Sequence, residues 1–373
     1  MKTKKHFSLA TAVALILALL SSCETTPKVD LQGDILPKSL SIAVPSSISN
    51  ATPNGRISGR VQQDSLSGNQ IYQNLNLFIA VGTGASQLVD EFVNGIRRYH
   101  IEKVVSLTYV SDDDHRTKDL VVSSSVSFEG RTWDYEMTIN DSDAAGDADG
   151  GKALQIFWNK TAPITGIAII KPYNCDRIKN ANTPDAVFRI DYSEEGTTAY
   201  DATMEVQISG LPLANPLNDP FSINTLHMFV GKKGDNIDVY GNSNHPNAIL
   251  FTGDAGFDWA FVASSLDSKN IAVAEVGLPP VSVNSTDRSV LLKDYSIKNV
   301  FTAGINAAWP GIDPILVANY LKNTSAPGYF NGTQGFVKAG LSPGADWDAL
   351  YDRTQALTPY SPAATNDLIV TFK

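Results

Sequence analysis

Cysteine is scarce in this 373-residue chain: Cys23 and Cys175 are the only two, which excludes a disulfide scaffold and any cysteine-rich metal site. Charge is scarce as well, at 18% Asp, Glu, Lys and Arg, and the balance is acidic, 29 basic against 39 acidic residues for a net −10. That balance excludes nucleic acid as a partner, because phosphate binding needs a concentrated basic face. Histidines number five, and His100, His115, His227 and His245 lie in no HxH, HExxH or HxxxH spacing, so no zinc site assembles from local sequence. There is no G-x-S-x-G elbow, no P-loop and no G-x-G-x-x-G behind a strand. What is present is 43% hydrophobic residues on a chain long enough for a sizeable core, a globular composition.

The N-terminus carries the most specific signal. Lys2, Lys4 and Lys5 precede a charge-free run from Leu9 to Leu20, and Ser21 and Ser22 stand just before Cys23. The run is too short for a permanent span and reads as a secretory leader over 1–22. Leu20-Ser21-Ser22-Cys23 resembles the lipobox of bacterial lipoproteins. The resemblance implies diacylation of the Cys23 thiol, cleavage before it and acylation of the new amino terminus. Three acyl chains exceed the two-signal threshold for stable anchoring, so the expectation is a body tethered to a membrane through lipid. Glu24 is not the aspartate that retains such proteins at the inner membrane, so the resemblance places this one in the bacterial cell envelope, at the outer membrane. Cleavage removes three lysines, takes the charge from −10 to −13, and leaves Cys175 without an intramolecular partner, as an inert thiol.

Residues 23–38, polar and irregular, read as the lipidated cysteine and a flexible tether. Ser39 to Val44 alternates like a half-buried strand, and Pro45 ends it. Ile71, Leu75, Phe78 and Ile79 recur at helical spacing, Gly82-Thr83-Gly84 interrupts, and Leu88, Val89, Phe92, Val93 and Ile96 resume after a cap at Ser86. Two helices are therefore expected, Ile71 to Val81 and Ser86 to Tyr99. The period then changes to two: Val122, Val126 and Phe128, then Trp133, Tyr135, Met137 and Ile139, alternate with polar residues. Further strands are expected at Leu154–Trp158, Ile164–Ile170, Phe188–Tyr192, Met204–Ile208 and Leu226–Val230, an antiparallel meander with one dry face.

The fold class expected is α+β: a mainly antiparallel, curved sheet over residues 39–252, packed on the N-terminal amphipathic helices. A mixed C-terminal layer of the same domain should fill 253–373. In that layer Phe257–Val262 suggests a short helix, Ile271–Val276 and Val290–Leu292 strands, Asp313-Pro314 the start of a helix, Asp346–Leu357 another, and Leu368–Phe372 a closing strand. The element order is similar to the half-barrel of periplasmic lipid and lipoprotein carriers, with no accompanying motif. That likeness implies a non-enzymatic protein holding an apolar ligand between sheet and helices.

Two acidic turns are the next signal. Asp141, Asp143, Asp147 and Asp149 crowd a turn with Gly146 at the sixth position, as in a calcium loop, but Ala145 and Lys152 stand at positions five and twelve, where ligands belong. Ca²⁺ is the one cofactor suggested; a solvated hairpin is the alternative. Asp112, Asp113 and Asp114 form the companion turn, with Arg116 available as counter-charge, and an even number of strands between the turns puts both at one sheet end. Trp309, Trp347, Tyr329 and Phe330 lie in or beside Gly/Pro-rich loops and could stack on a glycan. For glycoside hydrolysis the eligible carboxylates are Glu194, Glu195, Glu205, Asp258 and Glu275. Three functions remain open: an envelope binding or assembly protein for a protein or lipid partner, a surface glycan-binding or glycan-hydrolysing lipoprotein, and a structural accessory subunit.

Overall fold

The computed structural model describes residues 36–49, 68–97, 104–214, 222–249 and 256–373. Cys23, the leader and nearly all of the tether lie outside the described residues. Among the described residues the chain is mainly β: thirteen antiparallel strands with helices around them, so the helical share is smaller than an α+β class implies. It divides into two compact units, one built, among the described residues, from 36–42, Gly84–Pro212 and Leu368–Lys373, the other from Ala43–Thr83 with Leu213–Asp367.

The first unit is a seven-strand meander: β1 (Val105–Val110), β2 (Thr117–Phe128), β3 (Arg131–Asp141), β4 (Lys152–Trp158), β5 (Thr165–Ile170), β6 (Val187–Ser193) and β7 (Ala202–Ser209). Alternation puts Leu120, Val122, Met137, Ile139, Ile156, Ala168, Ile190 and Val206 on its dry face, none more than 4% exposed. Residues 39–44 form no strand. Leu40 and Ile42 are buried as their alternation requires, but the backbone is held by a helix side chain: Asp90 accepts from Leu40 N at 2.7 Å and from Ser39 Oγ at 2.7 Å. The opposite face carries Phe157, Ile167 and Ile169, which cluster with Trp133 and Val370. Residues 368–373 therefore cross this face without joining the ladder. Side chains fix them, Val370 N donating to Ser209 Oγ at 3.0 Å and Lys373 N to Gln155 Oε1 at 2.9 Å.

The second unit holds β8 (Leu226–Lys233), β9 (Asn236–His245), β10 (Phe257–Leu266), β11 (Ile271–Gly277), β12 (Gly328–Asn331) and β13 (Gly335–Ala339), again each antiparallel to the next. Its sheet is covered on both faces. One face receives the first half of α1 (Gly68–Arg97): Tyr72 stacks on Phe336 at 5.1 Å, and Phe78 meets Trp259 edge-on at 5.4 Å. The other packs Ala260 and Val262 against Leu291, Leu292 and Leu357, and Val273 and Tyr329 against Leu350 of a helix at Ala345–Thr354. Residues 257–262, read as a helix from sequence, are strand; burial on both faces makes an apolar run that carries no period. Val290–Leu292 lies in a π-helical turn, Ser289–Asp294, not a strand.

α1 runs unbroken through Gly82-Thr83-Gly84, so the expected pair of helices is one; Tyr99 lies outside the described residues. Thr83 Oγ1 donates to the Ile79 carbonyl at 3.0 Å, within the helix. Gly82 is there for space: a Cβ on it would stand 2.4 Å from Met228 Cε and 3.2 Å from Leu226 Cδ2. The helix thus lies directly on the sheet. Gly82→Leu is expected to lower stability by about 1–3 kcal/mol through overpacking, read as a lower urea midpoint at unchanged m-value.

Candidate functional site

The two acidic turns do meet. They are the β1–β2 and β3–β4 connections, at one end of the first unit's sheet, and Arg116 Nε lies 2.6 Å from Asp141 Oδ2. Asp141 is fully buried, and the same oxygen faces Lys118 Nζ at 3.3 Å and Arg177 Nε at 3.2 Å. Lys118, 1% exposed, also bonds Asp114 Oδ2 at 3.0 Å and the Asn174 carbonyl at 2.8 Å. Arg177 reaches Asp147 at 2.6 Å, and Lys171 reaches Asp149 at 2.5 Å. Four carboxylates and four cations therefore close on one another. Asp143 accepts from Thr117 N at 2.8 Å, while Asp112 and Asp113 point to solvent and stay outside the network.

The electrostatics follow from these partners. Burial raises the Asp114 carboxyl, but the bond from Lys118 and the main-chain donors of Arg177 and Arg116 outweigh it and hold it below the ordinary carboxylate range. Asp141 Oδ1 takes no hydrogen bond. A divalent cation there would sit among three fixed positive charges, which oppose its binding. Among the described residues no group of three or more His, Cys, Asp or Glu side chains is placed to hold a metal ion. The network knits two hairpin turns to the helical turn Pro172–Cys175. Cys175 lies in that turn, its thiol pushed well up by burial and 3.5 Å from the Ala153 carbonyl.

The four aromatics separate. Phe330 and Tyr329 are core residues of β12, 0% and 3% exposed. Trp347 packs beside Tyr329 and Leu350, and its Nε1 donates to the Phe330 carbonyl at 3.2 Å. Trp309 alone is open, 61% exposed, on the turn between α2 (Ile297–Ala308) and α3 (Pro314–Tyr320). Asp313 caps α3 as its Asp-Pro sequence predicts, accepting from Ile315 N at 2.8 Å. Ile305, Val317 and Leu321 lock the two helices with Phe301, Ile312 and Tyr320. Ile315 and Leu316 are left 68% and 59% exposed beside Trp309.

The eligible carboxylates are also engaged. Glu275 is ion-paired with Arg288 at 2.9 Å and accepts from Gln355 Nε2 at 2.9 Å, Glu195 faces Arg131 at 3.2 Å, Glu194 accepts from Tyr192 at 2.9 Å, and Glu205 from Gln207 at 3.0 Å. Asp258 differs. It has 0% exposure and two amide donors, Asn244 Nδ2 at 3.2 Å and Asn242 Nδ2 at 3.5 Å. Burial pushes its carboxyl up to about 8, the two amides pulling back only in part. It keeps its proton at neutral pH, yet a fully buried group held by Asn242 and Asn244 has no access to a substrate.

Sequence reasoning missed Lys118, Lys171 and Arg177. One signal was available for Lys118: it falls in phase with Leu120 and Val122 on the buried side of β2. No protein-family model, curated protein or solved structure matches the chain.

Proposed function

We propose that this protein is a lipid-anchored component of the bacterial cell envelope that works by binding or assembly rather than catalysis. The observation that carries the reading is the α2–α3 hairpin, which presents three large apolar side chains from a packed base. The lipobox-like order at Leu20–Cys23 supplies the anchor. A ligand enclosed between helix and sheet is less favoured, because α1 rests on Met228 and its inward side chains, Leu75, Phe78 and Ile79, are at most 2% exposed. A glycan platform loses Tyr329, Phe330 and Trp347 to packing and retains Trp309 alone.

Cells grown with an alkynyl palmitate test the anchor. The wild-type chain should take up the label and run shorter by the 22-residue leader, whereas Cys23→Ser should take up none and remain unprocessed. Labelling that persists in Cys23→Ser would remove the lipoprotein reading.

A further inference from the structure

The α2–α3 turn concentrates apolar surface in a way its surroundings do not. Trp309, Ile315 and Leu316 are 61%, 68% and 59% exposed, and Ala307, Ala308 and Pro310 are exposed with them. Between Lys298 and Lys322 the chain carries a single charge, Asp313, and that carboxylate is engaged by Ile315 N. The main chain is satisfied too, Trp309 N donating to Ile305 O at 2.9 Å and Ile312 N to Trp309 O at 3.2 Å. The tip therefore carries one charge, the exposed Asp313 carboxylate that caps α3, among exposed apolar side chains, while the helices behind it are fixed by Ile305, Val317 and Leu321.

Two occupants suit exposed apolar groups, a protein and a bilayer, and the chemistry favours the second. A protein interface buries about 800 Å² per partner and surrounds its apolar centre with a polar, hydrogen-bonding rim. The three large side chains here offer on the order of 400 Å², and the charged side chain nearest them is already spent on the helix cap. A bilayer interface asks for less: an apolar wedge, little charge, and an indole to sit at headgroup level, where a single carboxylate such as Asp313 can stay in water. From Cys23 to Leu36 is thirteen residues, at most about 45 Å when extended, so an acylated Cys23 would keep the folded body close to lipid.

We propose that the α2–α3 tip seats in the interfacial layer of the bilayer, with Trp309 at headgroup depth and Ile315 and Leu316 against the acyl boundary. This rests on the lipid-anchored reading above. No helix among the described residues is long and apolar enough to cross a membrane, so the contact is superficial.

The test uses the chain from residue 23 onward with Cys23→Ser, free of lipid, and neutral phosphatidylcholine vesicles with and without bromine on the acyl chains. Trp133, Trp158 and Trp259 are at most 5% exposed and Trp347 is half-buried with its Nε1 bonded to the Phe330 carbonyl, which leaves Trp309 as the one fully exposed indole among the five. Vesicles should shift its emission to the blue and brominated lipid should quench it. Trp309→Phe should remove most of the quenching, and the double variant Ile315→Ser/Leu316→Ser should weaken partitioning about tenfold or more. Unaltered Trp309 emission at millimolar lipid overturns the proposal. So does a chain that forms dimers which Trp309→Asp dissociates, since the tip would then be a self-association surface. Palmitate labelling of Cys23 is read separately: label without quenching refutes the tip, quenching without label refutes the anchor.

Discussion

At pH 9 the Asp258→Asn variant should be more stable than wild type by on the order of 5 kcal/mol, and near pH 4 the two should agree within about 1 kcal/mol. An unfolded aspartate releases its proton around 3.8, whereas the folded Asp258 holds it to about 8. Between those values the native state carries a proton that the unfolded chain has lost, so stability falls as pH rises through the window. Below 3.8 both states are protonated and the residue contributes nothing to the slope; above 8 both are ionised and the cost is fully present. Asparagine has the same shape and never ionises. Its amide can be accommodated because Asn242 Oδ1 is buried without a hydrogen-bond partner. Turned over, the Asn242 amide would aim that oxygen at position 258, where either a protonated carboxyl or an amide supplies a donor. Urea unfolding of both proteins from pH 4 to 9 checks this, and a stability difference that does not grow with pH would contradict it.

Lys118→Met should lower stability by about 3–5 kcal/mol. The lysine is 1% exposed and lies between Asp114 and Asp141, themselves 7% and 0% exposed, so its removal leaves buried negative charge with fewer partners. Methionine preserves most of the volume, which isolates the charge from the packing. The pH dependence has the opposite sign to that of Asp258. Asp114 is held below its ordinary value, so its contribution is present above the unfolded value of 3.8 and is lost as pH falls through the lowered folded one. Without Lys118 that acid loss should begin at higher pH. A midpoint unchanged from wild type at pH 7 would show the network to be energetically idle.

Much of the first unit was readable, and the reason is period two. Strands such as β6 and β7 alternate a dry face with a wetter one, and Phe188, Ile190, Met204 and Val206 fall where alternation puts them. The Asp313-Pro314 cap was readable because it is purely local chemistry. The second unit was far less so. β10 and β11 are buried on both sides and show no alternation, while β9 carries Asp238, Asn242 and Asn244 on a face covered by the C-terminal layer, so its polarity reads as loop. β12 and β13 hid in a Gly/Pro/Asn-rich stretch whose aromatics turned out to be strand core.

For the candidate sites the division is similar. Placement of the acidic turns at one sheet end followed from counting hairpins, and Arg116 was recognisable as a counter-charge from its position in the turn. Lys171 and Arg177 arrive from a different part of the chain, and long-range neutralisation leaves no mark in local spacing. Gly82 shows the same limit in the core. In sequence it interrupts a stripe, but in the fold it is the point where helix and sheet come closest.

By itself the sequence determined the acidic, cysteine-poor composition, the lipobox-like order before Cys23, the strand periodicity of the first unit and the local caps. These are set by neighbours along the chain: hydrophobic period, turn chemistry and leader pattern. Tertiary structure alone decided which carboxylates are neutralised, which aromatics are core, that Asp258 is sealed from water and that Trp309 is exposed. Burial and charge pairing depend on what the rest of the chain brings alongside, and residues as far apart as Asp141 and Arg177 become neighbours only once the sheet has formed.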